Sequence, residues 1–176
     1  MKFSKTQKIA VMGVLGALAL ALSALEGILM PDVALLPPGA KPGLSNIVTM
    51  FACSCVSVPA AFYVVIIKAV FALVTRGFTA FLMSLCGGVL STLLMAVLLR
   101  LDRDKISLVG VGVLCALAHN IGQLLVSFIM TGTKAVLGYA PYLLLFGTLT
   151  GFVTGTVLRA VIPALEKVMK RSNNQG

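Results

Sequence analysis

His119, Asn120 and Gln123 sit in the middle of an apolar run from about residue 106 to residue 130, and His119 is the only histidine in the chain. In a helix, positions four apart share a face, so His119 and Gln123 align, with Asn120 close beside them. Three polar side chains in a hydrophobic segment need partners, because an unpaired polar group away from water costs several kcal/mol. They either bond neighbouring helices together or line a cavity that holds a ligand. Polar groups inside membranes favour the ligand reading for this cluster. Lys68 poses the same question. A lysine within an apolar span costs roughly 2.5–3.5 kcal/mol on insertion scales. An ion pair with Glu26, snorkelling of the ammonium to the interface, or attraction of an anionic ligand would each account for it.

The elements that must position these residues follow from composition. The 176 residues are 59% hydrophobic and 11% charged, with a mean hydropathy of +1.07. Soluble domains average about 45–50% apolar and about 25% charged residues. The sequence therefore describes an all-α, polytopic membrane protein, one six-helix bundle over residues 1–176. The net charge of +9 lies between and beside the apolar runs, where it sets topology and touches anionic lipid headgroups; no nucleic-acid partner is expected.

The expected spans are Lys8–Leu29, Leu44–Val58, Pro59–Thr75, Ala80–Leu99, Ile106–Met130 and Val136–Ile162. The second is short against the roughly 17–25 residues a crossing needs, and residues 44–76 can also be read as one long kinked helix. Charge placement favours six spans with both termini cytoplasmic. Lys2, Lys5, Lys8, Arg100, Arg103, Lys105, Arg159, Lys167, Lys170 and Arg171 then lie inside, against Lys41, Arg76 and Lys134 outside. Ten against three obeys the positive-inside rule. Residues 1–7 form a cytoplasmic amino terminus, and residues 167–176 a flexible cytoplasmic tail. The basic start and first apolar run resemble a signal peptide, but the run is long and Ser23-Ala24-Leu25-Glu26 is a poor cleavage site, so it is read as a retained span.

In this topology Lys68 falls just outward of the middle of span three. His119 lies near the centre of span five and Gln123 outward of it. Asn46 and Glu26 lie near the outer ends of spans two and one, and Arg76 and Lys41 border the outer face. All fall in one half of the membrane, as an outward-opening pocket requires. Residues 30–43 carry four prolines and two glycines, which forbid regular structure. Their apolar character suits either a lid over the outer mouth or a tight interfacial connector. Tyr139 and Tyr142 are interfacial anchors that can also stack on a ligand at the mouth.

Small residues recur every fourth position at Gly13, Ala17 and Ala21, at Ser84, Gly88 and Thr92, and at Gly147, Gly151 and Gly155. Such stripes let helix backbones approach closely in lipid. The second and third are read as packing within the bundle, and the first also as a docking face for another membrane protein. Cys53, Cys55, Cys86 and Cys115 lie inside apolar runs with no zinc-like spacing and are read as small buried hydrophobes. No Walker A, GxSxG or HExxH pattern is present. Asp102 and Asp104, the only close carboxylates, sit among basic residues rather than in the aspartate clusters that hold magnesium on a diphosphate. The expectation is a chain that is not itself an enzyme, with no metal and no cofactor.

Two stretches resemble a known family. Pro38-Gly39-Ala40-Lys41-Pro42-Gly43-Leu44-Ser45-Asn46-Ile47-Val48-Thr49 resembles a PGxKxGLxNIVT signature, and Ala118-His119-Asn120-Ile121-Gly122-Gln123 an AHNxGQ signature. Both are similar to the Gx transporter family, also labelled heptaprenyl diphosphate synthase component I, over nearly the whole chain. Pro42 stands where an apolar residue is more usual, and Lys68 where arginine is expected. That family is similar to the substrate-binding S components of energy-coupling-factor (ECF) transporters. These are six-helix bundles that bind vitamins or related precursors and are energised by a membrane T component and two ATPases. The resemblance implies that Gly13, Ala17 and Ala21 dock the T component and that the loop after span one is a gate. It also makes Asn46, His119, Asn120 and Gln123 substrate-side residues, to which Lys68 and Lys41 are added on charge and position. The synthase label fits these residues poorly and suits a partner or neighbouring gene better than an activity. Two rival readings are a membrane accessory subunit of a prenyl-diphosphate synthase, and an ion-coupled carrier with Glu26, Lys68 and His119 as a proton relay.

Overall fold

A computed structural model describes residues 5–29, 41, 43–100 and 107–173, with the side chains of residues 5, 29 and 164–173 left aside. Among these residues the chain is all helix and turn. The helices are α1 (Lys5–Leu29), α2 (Asn46–Val56), α3 (Val58–Arg76), α4 (Phe78–Leu98), α5 (Leu108–Thr131) and α6 (Ala140–Asn173), the last preceded by a 3-10 turn over Lys134–Tyr139. Five of these segments are long and apolar enough to cross a membrane, which makes this a multi-pass membrane protein.

The second expected span is the exception. Helix α2 has eleven residues, about 16 Å of rise, roughly half the hydrocarbon thickness. It opens after Gly43, whose positive φ of 95° suits glycine. Its last turn, Ala52–Val56, is π-helical, with Ser57 N donating to Ala52 O at 2.9 Å. The Ser54 hydroxyl donates to Met50 O at 2.9 Å, drawing that carbonyl toward a side chain and opening the helix there. Ser57 is extended (φ −175°, ψ 162°), and its Oγ accepts from Ala60 N to start α3, with Pro59 in the first turn. Residues 44–76 are thus not one kinked helix, and the second expected span is instead a half-length helix entered through non-helical backbone. The loop 30–43, expected on the outer side, lies outside the described residues apart from Lys41 and Gly43. At the other end α6 runs to Asn173 rather than stopping at Ile162. The residues after Pro163 are mostly good helix formers, so part of the segment read as a flexible tail is helical.

Glycines set the tightest contacts. A Cβ on Gly151 would sit 2.5 Å from Val113 Cα, one on Gly155 2.5 Å from Val109 Cα, and one on Gly112 would strike Gly151 O. Helices α5 and α6 therefore touch backbone to backbone, as the stripe on α6 requires. Gly122 on α5 meets Gly87 on α4 in the same way, at 2.7 Å, and Gly88 is filled from across by Val65 of α3. The α1 stripe differs: Gly13, Ala17 and Ala21 are exposed, while Leu15, Ala19, Ser23 and Glu26 face inward. All four cysteines are free, and Cys53, Cys55 and Cys115 are buried.

Gly151→Val is expected to overpack the α5–α6 contact, at a cost of about 1–3 kcal/mol or more, and to lower the thermal unfolding midpoint in detergent by several degrees. Gly110→Ala, where an added Cβ meets nothing within 4 Å, should leave that midpoint in place. Equal midpoints for the two variants would refute the close contact.

Candidate functional site: a polar cavity inside the bundle

Polar side chains from four elements converge where α1, α3 and α5 approach their carboxyl ends and α4 begins. The non-helical segment before α2 completes the site. Gly43 N and Leu44 N both donate to Glu26 Oε1, at 2.7 and 2.6 Å. Lys41 N donates to Gln123 Oε1 at 3.2 Å, and Gln123 Nε2 donates back to Lys41 O at 3.1 Å. One amide side chain thus satisfies both backbone groups of Lys41, as a neighbouring strand would. Lys41 Nζ donates to Ser23 O of α1 at 2.8 Å. The segment is held to α1 by Glu26 and Ser23 and to α5 by Gln123.

Gln123 Nε2 also lies 2.7 Å from His119 Nε2. With Gln123 as donor, His119 Nε2 is the acceptor and the ring is neutral with its proton on Nδ1. The ring sits on Gly87 of α4, where a Cβ would fall 2.7 Å from Nδ1, so glycine at 87 makes room for the histidine. Lys68 Nζ donates to Asn46 Oδ1 at 2.8 Å. Lys68 is only 5% exposed, which rules out snorkelling to the interface. It does not hydrogen-bond to Glu26, whose Oε1 serves the backbone of residues 43 and 44, although both line the same cavity.

That cavity is lined by Glu26, Lys41, Lys68, Arg76, His119 and Gln123, together with Ser23, Ser45 and Ser84. Its volume is about 20 Å³, room for roughly one water. Of the residues singled out in the sequence, Lys41, Lys68, His119 and Gln123 line it. Asn46 is one bond behind, on Lys68. Asn120 is elsewhere: its Nδ2 donates to Leu143 O at 2.6 Å, and the same amide packs over Gly147 of α6. A helical face is too narrow to aim adjacent residues at one cavity, so Asn120 joins α5 to α6. Tyr142 is 41% exposed and, like Tyr139, is not part of the lining. Glu26 and Arg76, which sequence reasoning grouped with these residues but left out of the binding set, also line the cavity. The signal available for Glu26 was the chain itself: backbone N–H groups after Pro42 that no helix could satisfy.

Gln123→Leu keeps the shape but removes three hydrogen bonds, stranding buried groups at about 1–3 kcal/mol each. It is expected to raise several-fold the labelling of a Ser45→Cys reporter by a membrane-impermeant maleimide, in a background lacking the four native cysteines. Unchanged labelling would show that Gln123 does not hold the segment.

Residues 15–161 match the family model described as heptaprenyl diphosphate synthase component I. No curated protein and no solved structure matches the chain. The matched range contains every residue that lines the cavity and covers most of the sequence. The chain belongs to the heptaprenyl diphosphate synthase component I family.

Proposed function

We propose that this protein is the membrane-embedded, substrate-binding S-type component of an ECF-like uptake transporter, and that it resides in the cytoplasmic membrane. Its ligand is a small solute with an anionic or polar head, of the vitamin-like or isoprenoid- or quinone-related precursor class. The reading rests chiefly on one observation: an otherwise apolar bundle encloses a polar cavity whose wall is partly non-helical backbone. Irregular backbone at membrane depth is tolerated where it is buried in protein or lines a cavity, and broken helices are a recurrent feature of solute sites in transporters. Release of residues 41–45 from Glu26 and Gln123 would open the cavity toward the end of the bundle where α1 finishes. The exposed small-residue face of α1 supports docking of a T component, with two ATPases supplying the energy; a chain without a Walker A sequence needs them.

The family description favours a second reading, a membrane accessory subunit of a heptaprenyl diphosphate synthase. Under that reading the diphosphate chemistry belongs to the partner, and the chain itself is not an enzyme. Partner identity separates the two. Mild-detergent purification of the tagged protein from its native membrane, followed by mass spectrometry, is expected to yield a multi-span T component and two ATPases. A prenyl synthase subunit in their place would overturn the transport reading.

Ala17→Leu is expected to reduce recovery of the T component while sparing solute retention; an intact complex would remove that docking assignment. His119→Ala should accumulate in the membrane but carry less co-purified solute. Failure to accumulate would give His119 a purely structural role.

A further inference from the structure

We infer that the cavity binds one structural water, and that this water carries an ion pair between Lys68 of α3 and Glu26 of α1. It is a feature of the fold, independent of any transported solute. The volume of about 20 Å³ accommodates one water in the structure as it stands. A buried water needs roughly 2–4 polar partners, and the walls supply them. The Lys68 ammonium has three donors, and one is spent on Asn46 Oδ1. A carboxylate accepts at both oxygens, and the two backbone N–H groups held by Glu26 go to the same one, Oε1. Ser45 also lines the cavity; it is 3% exposed, and its side chain makes no capping bond at the start of α2. Its hydroxyl is a third partner for the water.

Charge selects the two ends of the bridge. Lys68 is 5% exposed and Glu26 2%, and buried charges are stable only when paired. No direct hydrogen bond joins them among the described residues, yet both line a cavity the size of one water, and the Glu26 charge acts on Lys68. A water between them accepts from the ammonium and donates to the carboxylate. Two buried charges on separate helices thereby become one hydrogen-bonded pair. Lys41 and Arg76 line the same cavity and also feel the Glu26 charge. Lys41, however, directs its ammonium to Ser23 O. Lys68 differs in being bonded to Asn46, the first residue of α2. The bridge therefore joins α1, the start of α2 and α3 at one point inside the bundle.

The first test is a crystal structure of the full-length protein, grown from a lipidic phase with bromide as the halide, at a resolution that places ordered water. One density peak is expected within about 2.5–3.2 Å of both Lys68 Nζ and a Glu26 carboxylate oxygen, with no anomalous signal. An empty cavity, a peak touching only one of the two side chains, a direct Lys68–Glu26 contact or a bromide at the site would overturn the assignment. The second test reads the pair through thermal unfolding in nanodiscs. It compares Lys68→Met, Glu26→Gln, which keeps an acceptor for Gly43 and Leu44, and the double variant. Either single change strands the opposite charge, so the double variant should lose several degrees less than the sum of the two single losses. Additive losses would overturn the pair. If a single variant does not fold, recovery in the double variant is expected, and its failure would overturn the pair as well. None of these results depends on partner subunits or solute, so the transport reading stands or falls separately.

Discussion

Everything in this molecule turns on satisfying a few backbone groups where water is absent. Five helices do so internally, by their own hydrogen bonds. The short second helix does not, because the positive φ at Gly43 keeps the chain from entering it as a helix. Glu26 and Gln123 supply what the missing helical turns would have supplied. The carboxylate takes the N–H groups of Gly43 and Leu44, and the amide takes both backbone groups of Lys41. Hydrogen bonds to a charged acceptor contribute about 1.5–3 kcal/mol, so Glu26 is the strongest single restraint on the segment.

The same arrangement creates the site. Backbone held away from a helical path leaves a gap between α1, α3, α4 and α5, and the residues that bridge the gap are polar. Close approach of α4 and α5 at Gly87 and Gly122 places His119 at its edge, where the imidazole bonds to Gln123 and so couples the histidine to the closing segment. Structural and ligand-binding readings of this cluster are therefore not alternatives. The polar groups hold the segment against the bundle, and under the proposed function the same groups would meet a ligand.

Much of this was legible in the sequence. Hydropathy gave the five long helices, and the stripe Gly147, Gly151 and Gly155 marked the α5–α6 contact that the structure shows at backbone distance. The four-residue spacing of His119 and Gln123 placed them on one face, and they do bond. The half-length of α2 was only hinted at, because apolar periodicity cannot distinguish a short buried helix from a span. Asn120 adjoins His119 in sequence, but adjacent helical positions point about 100° apart, and its amide donates to Leu143 O of α6 rather than lining the cavity. The service of Glu26 and Gln123 to the backbone of residues 41–44 could not be read, since those partners lie 17 and 82 positions away.

The most direct measurement of the central claim is amide hydrogen exchange of the purified protein in nanodiscs, resolved to Gly43 and Leu44. If Glu26 and Gln123 hold this segment inside the bundle, those two amides are protected to the same order as amides in the middle of α5. Exchange at the rate of an exposed loop, with α5 still protected, would contradict the account: the segment would not be seated, and the cavity it walls would not be a closed site.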